Sequence, residues 1–420
     1  MMQLIEEISR FTGKRTVKNG IWMYLLQFFN AVVPILTLPY ITRVLGSAGY
    51  GVFSIAFNIV SYMQVMVEYG FGMSATRKVA LADKEDINEL FSTVICARSI
   101  LLGICGVITT FVVLINKENI ELCSSLLVLM ICLFGYCIQM NWMFQGKQKM
   151  RYISIVNIIS RFISVICIFA FVKYPSDLLL YCLFYSASPL LSGCIGLKVA
   201  IKKYELQFVK ISLKKIKDEL MGGWYVFTTQ LSSKVFGSIG ITFLGIFASS
   251  SEVGVFSAIQ KIPNILMLAW TPISQVLYPV SSVHMKNNFE DGKKFVYKMR
   301  KIFLPIYALL AFGVCVFSRF AIEIIYGDGY SNYYYWTFPL LIWMVIAINN
   351  NFLGIQLLLG GGFDKEYSQC FQISVLSTIF LNFLLIYFAK GNGAALAPML
   401  SELVLYCMLI INIRKISKAK

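Results

Sequence analysis

Charge is what this sequence has least of: of 420 residues, 14% are Asp, Glu, Lys or Arg, whereas 58% are apolar. A soluble domain carries about 25% charged residues, so the chain has too few to cover a water-facing surface. Histidine occurs once, at His284, in a polar connector where a solvated surface position is the default. None of the eleven cysteines forms a C-x-x-C pair. They read as small apolar helix residues, not as a metal or redox centre. There is no G-x-x-x-x-G-K-[ST] phosphate loop and no nucleophile triad or metal cluster. The chain is therefore expected to be no enzyme, to need no cofactor or metal, and not to hydrolyse ATP by that route. The opening MMQLIEEISRFTGKR places acids early and lacks an apolar core with a cleavage site. It does not read as a removable signal peptide, and the first apolar run is expected to serve as the insertion signal.

What is present is apolar length. Apolar stretches run near 19–42, 50–72, 91–115, 121–145, 152–173, 177–201, 222–247, 254–280, 300–317, 334–358, 368–388 and 392–413. Most approach the roughly 20 residues that carry a helix across a hydrocarbon core of about 30 Å. Only helices and closed barrels satisfy their backbones in lipid, and barrel strands would alternate in short segments instead. Mean hydropathy is +0.72. The fold class expected is an all-α integral membrane protein with twelve transmembrane helices.

The distribution of cations gives the expected orientation. With the N-terminus (Arg10, Lys14, Arg15, Lys18) inside, 28 of the 37 Lys and Arg fall on inner segments. Only Arg43, Lys117, Lys173, Arg319 and Lys390 fall outside, a strong positive-inside asymmetry that puts both termini in the cytoplasm. The net charge of +16 is then a topology signal plus attraction to anionic headgroups, and nucleic acid is not an expected partner.

Offsetting the chain by 203 residues lays Gly51-Val52-Phe53-Ser54 on Gly254-Val255-Phe256-Ser257, Gly20 on Gly223 and Gln27 on Gln230. Each half then holds six spans that start on the same side, a parallel repeat with a pseudo-two-fold axis along the membrane normal. Such halves are a transporter architecture with a site where they meet. The expected organisation is a six-helix bundle over 1–201, a basic cytoplasmic linker over 202–221, and a second bundle over 222–420.

Four cations lie within spans: Arg98, Arg161, Lys234 and Lys261. Each costs about 2.5–3.5 kcal/mol at mid-membrane, so they are expected to face the protein interior or a wet cavity. Arg98 and Lys261 lie near enough to a span end to snorkel instead. Glu402 is the deep acid and Glu68 the one nearer the inner interface, so both are candidates for counter-charge or ion coupling. A Lys234–Glu402 pair would be a purely structural alternative. A cationic cavity calls for an anionic ligand, and phosphate fits the arginine fork and the lysine point charge. Pro34 and Pro39 in the first span, and Pro263, Pro272 and Pro279 in the eighth, mark kinks of the kind that line transport paths. In-span amides such as Asn30, Gln139, Asn141, Gln230 and Asn349–Asn351 suit either sugar binding or interhelical contacts.

Three stretches carry a family resemblance: N-G-I-W-M-Y-L-L…P-Y-I-T-R-V-L-G-S-A-G-Y-G (19–51), V-E-Y-G-F-G-M-S-A-T-R (67–77) and W-M-F-Q-G-K-Q-K-M-R-Y-I (142–153). With them the chain resembles O-antigen (Wzx-type) polysaccharide-biosynthesis flippases of the multidrug/oligosaccharidyl-lipid/polysaccharide exporter superfamily. The resemblance implies moving a polyprenyl-pyrophosphate-linked oligosaccharide, an O-antigen or capsule repeat unit, from the inner to the outer leaflet of a bacterial plasma membrane. It also implies alternating access, with a glycan polymerase and chain-length machinery as neighbours. Arg98, Arg161, Lys234 and Lys261 would screen the pyrophosphate, and Arg43 and Arg77 would stand at the outer and inner mouths. Two alternatives stay open. A drug-exporting relative would want an acid deep in the first or seventh span, and neither has one. A membrane-embedded polymerase or glycosyltransferase would want a long outer loop with catalytic charges, and these loops are short.

Overall fold

A computed structural model describes residues 14–81 and 84–419. Arg10, Lys420 and the Met1–Gly13 part of the opening stretch, with the expectations placed on them, lie outside the described residues. Among the described residues ten helices are long and apolar enough to cross a membrane. The chain is a multi-pass α-helical membrane protein.

The first helix, α1 (Lys14–Glu68), has 55 residues and is interrupted at Gly46, whose φ of 67° suits glycine. At 1.5 Å per residue it spans roughly 80 Å, far beyond one bilayer core. A second left-handed corner at Tyr69 and Gly70 leads into α2 (Phe71–Leu81). Then come α3 (Lys84–Ile115), the broken run α4 (Ile120–Leu129), α5 (Ile131–Ile138) and α6 (Asn141–Gly146), and α7 (Met150–Phe171) and α8 (Leu178–Tyr204). The second part holds α9 (Leu213–Phe247), α10 (Ser250–Ile259), α11 (Lys261–Asn287), α12 (Phe289–Tyr326), the short α13 (Asp328–Ser331) and α14 (Thr337–Asn351). A π-helical segment, Phe352–Leu359, continues α14, and α15 (Asp364–Ala419) ends the series with an interruption at Lys390. The helices outrun the apolar stretches: α12 has 38 residues where the apolar run covers 300–317. Its polar first turns carry apolar residues, among them Phe289, Phe295 and Met299, that pack on the core. Pro272 and Pro279 lie inside α11, whereas Pro263 falls in its first turn, where a missing N–H costs nothing.

The contacts divide the chain into two compact units, one of residues 1–37 and 55–234 and the other of 38–54 and 235–420. The first is centred on Phe71, Phe91, Trp142, Met143 and Phe144, and the second on Trp270, Leu341, Met344, Phe352 and Leu357. Small residues let helices touch in the first unit. A Cβ added to Gly135 in α5 would meet the Pro189 carbonyl of α8 at 2.4 Å, and one on Gly193 the Gly135 carbonyl oxygen at 2.5 Å. The connector between α8 and α9 is strapped to α3, and the start of α9 is tied to α2. The Gln207 and Val209 amides donate to Asn88 Oδ1 and Ser92 Oγ, Phe208 lies 4.8 Å from the Phe91 ring, and Lys78 pairs with Glu219 at 2.5 Å.

In the second unit the 38–54 segment crosses the α9–α10 corner at van der Waals distance. A Cβ on Gly51 would lie 1.6 Å from the Ser250 carbonyl oxygen, and one on Gly254 would lie 2.0 Å from that of Ser47. Ser47 and Ser251 share a hydroxyl–hydroxyl hydrogen bond of 2.6 Å. Cysteines at these two positions are therefore expected to join under mild oxidation, because the side-chain termini already meet. Mass spectrometry of the S47C/S251C protein should recover the linked peptides, and two free thiols after oxidation would contradict the crossing.

Candidate functional site

The in-span polar groups make several separate contacts in each unit. In the first unit, Arg161 on α7 projects toward α1 and donates from Nη1 to Asn30 Oδ1 at 2.7 Å. It is half-buried and interacts electrostatically with the hydroxyl-bearing rings of Tyr136 and Tyr185. Tyr185 stands edge-on to Phe57 at 5.0 Å and lies 6.1 Å from Tyr181. A guanidinium has five donors, and Asn30 engages Arg161 through a single acceptor atom, leaving a fork suited to an anion. Lys234, on α9, holds its ammonium 5.9 Å from the centre of the Tyr62 ring. That cation–π distance suits a charge kept in a low-dielectric setting. Gln139, Asn157 and Ser192 close a neutral network at 3.0–3.3 Å.

Arg98 is placed differently. It is 4% exposed, with Nη1 donating to the carbonyls of Tyr136, Cys137 and Gln139 at 3.2, 3.4 and 2.9 Å. Its guanidinium lies 5.7 Å from the centre of the Phe71 ring. Glu68 interacts electrostatically with it and accepts from Gln64 Nε2 at 3.2 Å. Arg77 is exposed on α2, and Lys261 is exposed at the first residue of α11. Arg43 is exposed and donates from Nη2 to the Ile324 carbonyl in the last turn of α12, where a cation complements the helix end.

In the second unit Glu402 is buried, accepting from Asn350 Nδ2 at 2.6 Å and from Trp343. Ser274 Oγ donates to Asn351 Oδ1 at 2.8 Å, and Gln356 Nε2 donates to the Ser274 carbonyl at 3.0 Å. These bonds tie α11 to the end of α14 and to the π-helical segment. Arg300, which sequence reading counts among the connector cations, lies in α12 and donates from Nε to Asn349 Oδ1 at 2.6 Å. A cavity of about 100 Å³ lined by Gln260, Asn264, Trp343 and Asn382 lies nearby.

The tyrosines around Arg161 and Lys234 are what sequence reasoning missed. Tyrosine is common in this chain, 23 residues in all, so no single one stands out before the helices are packed. The start of the first resemblance-bearing stretch, by contrast, meets the third within the first unit, and the second meets the third there too, whereas residues 38–51 of the first stretch belong to the second unit. Asn19 Nδ2 donates to the Gln148 carbonyl at 3.0 Å, and Ser154 Oγ to the Trp22 carbonyl at 2.6 Å. A Cβ on Gly146 would lie 2.8 Å from the Thr76 carbonyl oxygen.

The family described as "Polysaccharide biosynthesis protein" matches residues 16–285, which contain all three stretches. A protein of Escherichia coli (strain K12) named "Putative O-antigen transporter" is 27% identical over 405 residues, covering 94% of this chain and 96% of its own length. Among solved structures, a lipid II flippase, MurJ, in an inward closed conformation superposes with a TM-score of 0.69 at 13% identity, covering 95% of this chain and 87% of its own. An inward-facing multidrug resistance transporter of the MATE family gives 0.65 at 14% identity, covering 92% and 98%. The two structural likenesses establish the fold, which flippase and drug exporter share. The family match covers well over half of the chain, and the chain belongs to the polysaccharide biosynthesis protein family.

Proposed function

We propose that this chain is a flippase that carries a polyprenyl-pyrophosphate-linked oligosaccharide from the inner to the outer leaflet of a bacterial plasma membrane. The observation that carries the reading is Arg161, an in-span guanidinium on one neutral acceptor among tyrosines. A fixed cation in a low-dielectric setting binds phosphate oxygens strongly through charge-assisted hydrogen bonds, and tyrosine rings offer both stacking faces and hydroxyls to sugars. Lys234 and Lys261 extend the positive series, with Arg77 and Arg43 toward the inner and outer mouths. The E. coli relative, similar over nearly all of its length, supports the same substrate class.

The chain is read as crossing the membrane twelve times with both termini in the cytoplasm. The helices α1 and α15, broken at Gly46 and Lys390, each supply two crossings. The halves are read as a parallel repeat that works by alternating access, with Glu68 and Glu402 as candidates for ion coupling. A glycan polymerase and its chain-length machinery would take the product.

A strain lacking this gene and redundant flippases is expected to accumulate lipid-linked glycan that stays inaccessible to outside reagents in spheroplasts. The intact gene should restore outer display. Normal display in the deletion strain would reject the reading.

A further inference from the structure

Two arginines are bound up in backbone irregularity. Between α5 and α6 the chain goes extended at Gln139, with ψ of 129°, before helix resumes at Asn141. A break of this kind inside an apolar run strands the last carbonyls of α5, which lipid cannot solvate. Arg98, from α3, reaches those carbonyls at Tyr136, Cys137 and Gln139. It rests against Phe71, just past the Tyr69–Gly70 corner, with Glu68 at the near side of that corner as its electrostatic partner.

The second unit holds a related arrangement, made through a side chain instead of backbone carbonyls. Arg300, from α12, bonds to Asn349 in the last turn of α14, directly before the π-helical segment 352–359. π-Helical turns mark places where a helix shifts register, and they gather at functional sites. In each unit, then, an arginine bonds to an interrupted apolar helix at or beside its irregular stretch: Arg98 to backbone carbonyls up to Gln139, and Arg300 to the Asn349 side chain just before the π-helical segment.

We propose that Arg98 and Arg300 are positioning residues for transport: each fixes the angle at which its interrupted helix bends during the cycle, and neither binds the substrate. The proposal rests on the flippase reading and departs from the sequence-based expectation that Arg98 screens the pyrophosphate. The geometry separates Arg98 from Arg161. Arg98 is buried with Nη1 directed onto three backbone carbonyls, whereas Arg161 is half-buried on one side-chain oxygen.

The test uses the full chain with R98Q, R98K, R300Q and R300K. Three quantities are read: glycan export in the deletion strain, binding of inorganic pyrophosphate by purified protein, and amide hydrogen exchange by mass spectrometry. The glutamine variants are expected to lose export by tenfold or more while pyrophosphate affinity stays within twofold of native. Exchange should rise over 135–143 in R98Q and over 347–359 in R300Q, and little elsewhere. R98K, whose ammonium can still donate to the carbonyls, should recover part of both export and protection. A tenfold loss of pyrophosphate affinity with local exchange unchanged would make these arginines substrate ligands and overturn the proposal. Raised exchange with full export would overturn it as well. If a glutamine variant fails to fold, its lysine counterpart carries the same comparison. If the unaltered chain restores no export and binds no pyrophosphate, the flippase reading fails, whereas the exchange pattern still reports whether the arginines hold the breaks.

Discussion

Replacing Arg161 and Lys234 together with glutamine is expected to abolish export of lipid-linked glycan while the protein remains in the membrane at its native level. Glutamine at 161 keeps a neutral hydrogen-bonding amide in place of the guanidinium that meets Asn30 Oδ1. What is lost is charge. Hydrogen bonds to charged groups contribute about 1.5–3 kcal/mol each, or roughly 10- to 150-fold per residue at 1.4 kcal/mol per decade. The two losses compound if both cations meet the same pyrophosphate. Arg161→Lys keeps the charge and loses the planar fork, so it should fall between native and Arg161→Gln. Quantitative immunoblotting of membranes, beside outer-leaflet display in spheroplasts, checks the pair of statements. Native export by the double variant would remove these residues from the transport path.

The second large effect is expected at Gly51. The would-be Cβ there stands 1.6 Å from a backbone carbonyl oxygen and 2.5 Å from its carbon, so no side-chain rotation relieves the clash. Overpacking in a rigid site costs typically 1–3 kcal/mol, and Gly51→Ala should reach about 3 kcal/mol because backbone must move. Gly254→Ala should behave alike, its Cβ 2.0 Å from the Ser47 carbonyl oxygen. Gly20 is the control: nothing lies within 4 Å of its Cβ, and alanine there should leave the protein as stable or slightly more so. Melting midpoints in one detergent rank the three. A Gly51→Ala midpoint equal to that of Gly20→Ala would mean the crossing is loose.

Much of this was legible before any coordinates. Apolar length and the scarcity of charge gave an all-helical membrane protein, because lipid leaves the backbone few alternatives. The four stretches around Asn30, Gln139, Arg161 and Asn349–Asn351 were marked as polar groups with no reason to face lipid, and all four carry interhelical hydrogen bonds. The sequence could not say which in-span cation is occupied. Arg98 and Arg161 look alike as letters in apolar runs, and only the break at Gln139 separates their roles. Arg300 was hidden for the opposite reason. It stands where the apolar run begins, among Lys298 and Lys301, and reads as one more connector charge until α12 is seen to start at Phe289. The basic character of the stretch after α8 was legible, but its bonds to Asn88 and Ser92 were not, since they are long-range and use backbone donors.

The glycine crossing has a consequence for how the chain can be divided. Gly51 presses on Ser250 and Gly254 on Ser47, and both members of each pair are 203 residues from their counterparts. Contacts that swap their members in this way are isologous, the kind two identical subunits make across a two-fold axis. Cutting the chain between the 38–54 segment and α9 should accordingly loosen the second unit where Gly51 and Gly254 fit, and a fragment that begins at residue 55 should be a poor solitary protein.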